Sequence, residues 1–310
     1  MSSNRALRSA AALFFSALIG LSLSACTTAP VRARRIDPRT SAFIRPQAQL
    51  TPQQIAMIED NCGPFGAPDL DSGFPHGPTE LVIREGYVLR HSSEDKIPRW
   101  VCEHVTLVEV SGNVPRRDPF APDPQLQGKP RAELSDYRRS GFDRGHQAPA
   151  GDQNSSQRLK DETFFLSNMT PQFPAHNQQI WAELEHLTRD WVANRVVESE
   201  FIITGGFFYD PAEDDPATAD GLIEYQMIGQ GAVAVPTHYF KIVYAQDGAD
   251  TWRAVAFVLE NRAFPRPFNF TDHIKPIDWI EERTGIDFLP DLDPALEAQL
   301  EAQPGVLFRE

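Results

Sequence analysis

The chain has 310 residues, 41% of them hydrophobic, and carries a formal net charge of −14. That length and apolar content supply a sizeable core, in one large domain or two ordinary ones. The acidic balance argues against a protein that coats nucleic acid by bulk attraction, so any chemistry on nucleic acid needs positive charge gathered locally.

Arg5 and Arg8 precede an almost wholly apolar run from Ala10 to Leu23, about the length of a secretory h-region and short for a membrane span. The run ends in Leu23-Ser24-Ala25-Cys26. Small residues before a cysteine at that place resemble the lipobox of bacterial lipoproteins. The resemblance implies removal of residues 1–25, acylation of Cys26 and attachment to the envelope membrane. Thr27 after the cysteine points to the outer membrane, facing periplasm or surface. Ordinary secretion with Cys26 incidental is the alternative. Removing Arg5 and Arg8 takes the formal charge to −16.

Residues 26–50 hold Pro30, Pro38 and Pro46 among five arginines and read as a flexible tether, whose arginines meet anionic headgroups or merely confer solubility. Only Cys62 and Cys102 remain beyond Cys26. An even pair in an oxidising compartment predicts a disulfide, two buried thiols being the alternative. Thr51 followed by Pro52 predicts a short capped helix, and the Gly/Pro-rich stretch 63–79 a loop.

Leu81–Leu89 and Trp100–Val110 read as a hairpin around a polar break. Residues 111–140, with five prolines, read as a long loop, functional or disordered. Ala182–Val197 has helical periodicity. Phe201–Phe208, Tyr239–Tyr244 and Trp252–Leu259 read as strands, 210–220 as a solvated acidic loop, and Ile277–Thr284 and Pro294–Ala302 as short helices. Strands and helices mix without strict βαβ alternation. The predicted fold is α+β, with a mainly antiparallel central sheet flanked by helices.

Three segments carry the chemistry: Asp143-Arg144-Gly145-His146, then Ser167-Asn168-Met169-Thr170-Pro171-Gln172, then Asn177-Gln178 with Trp181, Leu184 and Glu185 following. In this order and spacing they resemble the DNA/RNA non-specific endonucleases. The stretches Pro98-Arg99-Trp100-Val101 and Phe120–Pro124 extend the resemblance, which covers about residues 80–307. It implies a ββα-metal active-site motif within a single nuclease domain over 51–310, acting on DNA and RNA with Mg2+ or Mn2+. A phosphodiesterase for smaller substrates, or a non-catalytic nucleic-acid-binding envelope lipoprotein, are the alternatives.

The residues fit that chemistry. His146 is a general base near neutral pH, since a free imidazole titrates near 6.5, and Gly145 is expected to bend the backbone so that the ring faces outward. A satisfied loop histidine is the bland alternative. Asn177 offers a neutral oxygen to a largely hydrated cation, or simply caps its helix. Glu185, eight residues on, lies on the same helix face and can accept hydrogen bonds from metal waters, or is a surface carboxylate. Arg144 grips phosphate oxygens. By the resemblance a second arginine comes from the preceding loop, where Arg116 and Arg117 compete and Arg116 is preferred. Asn168 is expected to support the metal waters. Asp143 is expected to orient the backbone or Arg144. Phosphate contacts of this kind carry no base information, so sequence preference is expected to be low.

Overall fold

The computed structural model describes residues 31–35, 50–70, 77–247 and 251–308; the signal segment, Cys26 and most of the expected tether lie outside them. The first element, β1 (Val31–Arg35), falls inside that tether and pairs antiparallel with residues 222–226. That pairing sets the backbone of 31–35 at a sheet edge. Helix α1 (Pro52–Cys62) starts as expected: the Thr51 hydroxyl accepts from Gln54 N–H while the Gln54 side chain accepts from Thr51 N–H.

Next come β2 (Asp69–Leu70), β3 (Thr79–Ile83), β4 (Val88–Ser92) and β5 (Pro98–Thr106). The expected strand Leu81–Leu89 is two strands, because Glu85-Gly86 forms a tight turn closed by Arg84 N–H donating to Tyr87 C=O at 3.0 Å. The expected strand to Val110 ends at Thr106, where α2 (Leu107–Ser111) begins. The loop 111–140 contains α3 (Leu134–Tyr137), and then come β6 (Asp143–His146), α4 (Gln157–Glu162) and β7 (Met169–Gln172). A turn of π-helix, His176–Trp181, leads into α5 (Ala182–Ala193), so the helix starts six residues before its expected place.

The remaining strands are β8 (Ser199–Phe207), β9 (Leu222–Ile228), β10 (Val233–Ala234), β11 (His238–Gln246), β12 (Trp252–Glu260) and β13 (Ile274–Lys275). Helix α6 (Ile277–Thr284), β14 (Ile286–Asp287) and α7 (Pro294–Leu300) close the chain.

Seven strands form the central sheet in the order β13-β12-β11-β8-β5-β4-β3, every neighbour antiparallel. The fold is α+β, as the sequence predicts. Alternation along the strands feeds two cores. Ile203, Phe240 and Ile242 pack with α1, α6 and α7, and Ile202, Tyr239 and Val243 pack under Trp181, Leu184 and Trp191 of the π turn and α5. Among the described residues no helix is long and apolar enough to cross a membrane.

Cys62 at the end of α1 is bonded to Cys102 in the middle of β5, their Cα atoms 5.1 Å apart. The bridge ties the helix to the sheet across 40 residues of sequence. Closing a loop of that size stabilises a fold by about 2–4 kcal/mol, chiefly by restricting the unfolded chain. Replacing both cysteines by alanine is expected to lower the urea-derived stability by that amount. An unchanged midpoint, or two freely alkylatable thiols in the native protein, would contradict the linkage.

Candidate active site

The site is built on a two-stranded hairpin followed by a helix. β6 pairs antiparallel with β7, with Asp143 opposite Gln172 and His146 opposite Met169, and the π turn and α5 follow. Gly145 is required for close approach. A Cβ there would meet the buried Gln172 side chain at 2.1 Å. Its φ is not left-handed, so the expected backbone bend is corrected.

His146 is 9% exposed and does not face outward as expected. Phe164 meets its ring edge-on, with centroids 4.8 Å apart, and Phe120 lies 5.9 Å away. Its Nε2 is buried and has no hydrogen-bond partner. Burial first, then the Arg116 and Arg144 guanidinium charges, push the imidazole down to about 3. The ring is therefore neutral across the physiological range, which replaces the expected value near 6.5.

The two aromatic walls also carry the arginines. Arg144 lies over Phe120, 3.9 Å from its centroid, and Arg116 over Phe164 at 5.1 Å. Arg116 also pairs with Asp118 at 2.6 Å in an exposed position. Arg117 turns away toward Asp161, 3.9 Å distant. Of the two competitors, Arg116 is the one beside the histidine.

Asp143 does not serve Arg144 or the local backbone. Its Oδ2 accepts from Asn177 Nδ2 at 2.9 Å and from Gln178 Nε2 at 2.7 Å. A carboxylate only accepts, so the Asn177 NH2 group is fixed toward Asp143 and its Oδ1 is turned to the other side. Asn177 is not an N-cap. Its own N–H already donates to Phe173 C=O at 2.9 Å, inside the π turn. A π turn widens the helix locally and re-aims its side chains.

Glu185 is half-buried in the first turn of α5, over a sheet face that carries the buried Glu103, Glu200 and Lys241. Burial raises its carboxyl to about 7. Lys241, Arg189 and Arg116 oppose that rise and Asp152 adds to it. Arg116 thus acts on both Glu185 and His146. Glu183 is exposed and pairs with Arg266.

Asn168 is fully buried, with both amide hydrogens donated, to Ala148 C=O and Thr163 C=O at 2.9 Å. Its oxygen accepts from Ala148 N–H at 3.0 Å. It staples the backbone after His146, and its expected reach to metal waters is corrected. Sequence reasoning missed the Asp143–Asn177 bond, the walls Phe120 and Phe164, and the polar group under α5. The last had a visible signal: Lys241 sits between Phe240 and Ile242, and Glu103 follows Trp100, Val101 and Cys102, each in the middle of a strand.

A family model of DNA/RNA non-specific endonucleases matches residues 68–295. The chain is 35% identical over 237 residues to the mitochondrial nuclease of Saccharomyces cerevisiae, covering 74% of this chain and 71% of the relative. It is 37% identical over 241 residues to a nuclease of Syncephalastrum racemosum, covering 74% of each. It is 34% identical over 221 residues to human mitochondrial endonuclease G, covering 71% of this chain and 72% of the relative. A chain from a crystal structure of an EndoG/EndoGI complex superposes with a TM-score of 0.67 at 28% identity, covering 81% of this chain and 96% of that one.

Proposed function

The chain belongs to the DNA/RNA non-specific endonuclease family, and from that premise we propose that it hydrolyses phosphodiester bonds in DNA and RNA with Mg2+ or Mn2+, using His146 as general base. The observation that carries the reading is the buried, unpartnered Nε2 of His146 between two guanidinium groups. A neutral imidazole with no competing partner is ready to accept a proton from an attacking water.

Arg116 and Arg144, held against Phe164 and Phe120, bind phosphoryl oxygens and offset the charge that develops there. A bound phosphate also cancels part of the positive field on His146, so the imidazole becomes a stronger base when substrate arrives. The donor set suits a hard cation: Asn177 Oδ1 is presented by the Asp143 bond, and Glu185 supplies a nearby carboxyl. A divalent ion held there supplies positive charge against the phosphoryl and leaving oxygens. Glu185 would accept hydrogen bonds from the waters of such an ion. Phosphate contacts read no bases, so sequence preference is low.

The same proposal places the nuclease domain over 51–310 and an envelope lipid anchor at Cys26, which ends a short apolar run after Leu23-Ser24-Ala25. Cys26→Ser is expected to release the protein from membranes and block processing. Normal processing with continued membrane fractionation would refute the anchor.

The division of roles predicts two distinct variants. His146→Ala is expected to lose about 10²–10⁴-fold in rate at saturating Mg2+ with metal affinity near wild type. Asn177→Ala is expected to weaken metal affinity, with added Mg2+ restoring part of the rate. Plasmid and RNA digestion against Mg2+ concentration, with an EDTA control, measures both. Loss of metal affinity in His146→Ala with the rate kept at saturating Mg2+ would reverse the assignment.

A further inference from the structure

Helix α6 and the end of α7 bring three carboxyl groups together. One oxygen each from Asp278, Glu281 and Glu301 lie within 4.8 Å of one another. Glu301 is only 3% exposed, and its buried Oε1 has no hydrogen-bond partner. A buried carboxyl oxygen left without a donor is costly unless something else satisfies it.

Among the described residues, the charges that act most on this group are acidic. The charges acting on Glu301 are Glu281, Asp287, Asp278 and Glu297, all acidic. Those acting on Glu281 are Asp287, Asp278 and Glu297, and Asp287 in turn faces Asp69, Glu297 and Asp291. Among the other buried acids, Asp152 pairs with Arg189 and Asp123 with Arg84, while Glu103 and Glu200 lack hydrogen-bond partners but feel the Lys241 and Arg189 charges. We infer that Asp278, Glu281 and Glu301 form a second divalent-cation site, of calcium type, that clips the C-terminal helix α7 to α6.

The scaffold for it is already braced. Asp278 N–H donates to Glu301 C=O at 3.2 Å, and Glu301 N–H donates to Glu297 C=O at 2.9 Å. Glu281 Oε1 accepts from Phe288 N–H at 2.7 Å, which leaves Oε2 for an ion. Oxygen ligands lie roughly 2.3–2.6 Å from Ca2+, so two of them across one ion stand roughly 4.6–5.2 Å apart. The observed spacing meets that requirement. Asp278 is exposed, so the site opens to water, and waters fill the six to eight positions that Ca2+ favours. Mg2+ fits less well, because it gives up its waters reluctantly and demands octahedral geometry.

The test uses EDTA-stripped full-length protein carrying Asn177→Ala, which weakens cation binding at the active site. Ca2+ at about tenfold its dissociation constant is expected to raise the Tm by about 3–5 °C. Terbium luminescence is expected to report one equivalent of tight binding. Adding Glu301→Gln or Asp278→Asn is expected to abolish both signals. Asp278 is exposed, so its variant keeps the test decisive if Glu301→Gln fails to fold. Absence of any Ca2+ effect in the Asn177→Ala protein, or an effect that survives both further substitutions, would overturn the proposal.

Discussion

The site depends on one antiparallel pairing. Asp143–His146 and Met169–Gln172 are joined by 22 residues of sequence yet lie side by side, and Gly145 lets the Gln172 side chain pass where any Cβ would collide. That register aims the two ends of β6 at two tasks. His146 goes into the aromatic slot between Phe120 and Phe164, and Asp143 reaches Asn177 on the π turn. His146 and Asn177 are thereby set relative to each other by a four-residue strand, with Asp143 at one end and His146 at the other, which is stiffer than a loop.

Electrostatics then separates what the two groups can do. The slot is apolar and flanked by Arg116 and Arg144, so charge on the imidazole is disfavoured and the ring stays a base. On the other side, Asn177 and the half-buried Glu185 present oxygen above a sheet face that carries Glu103, Glu200, Lys241 and, from α5, Arg189. Burial raises the Glu185 carboxyl, and the Lys241, Arg189 and Arg116 charges hold that rise to about 7. Although the chain's formal charge is −14, Arg116 and Arg144 set positive charge on the walls of this slot, where a polyanion would meet it.

Much of the fold was legible where local chemistry decides. The Thr51 cap, the strands of the sheet centre and helix Ile277–Thr284 follow from capping, β-branched runs and 3.6-residue periodicity. The motif residues pointed to one hairpin and the helix after it, and Arg116, not Arg117, lies over the Phe164 wall of that place. What failed depends on contacts between distant segments. Gly145 looks like a hinge in sequence, and only the paired strand shows that Gln172 needs its space. His146 looks like a surface base until Phe120 and Phe164 close around it. Asn168 resembles a metal-side asparagine, yet the backbone of Ala148 and Thr163 takes both its amide hydrogens. The π turn has no periodic signature over its six residues, so the helix seemed to begin at Ala182.

The most direct measurement is the titration of the His146 ring by NMR, assigned by the resonance missing from His146→Ala. In the free protein the account predicts a neutral ring with no titration between pH 5 and 8, its pKa lying far below the ordinary 6.5 and near about 3. Adding a non-hydrolysable phosphorothioate dinucleotide in EDTA is predicted to shift the value upward, as phosphate offsets Arg116 and Arg144. A free-protein pKa at or above 6.5, unmoved by the dinucleotide, would contradict the account.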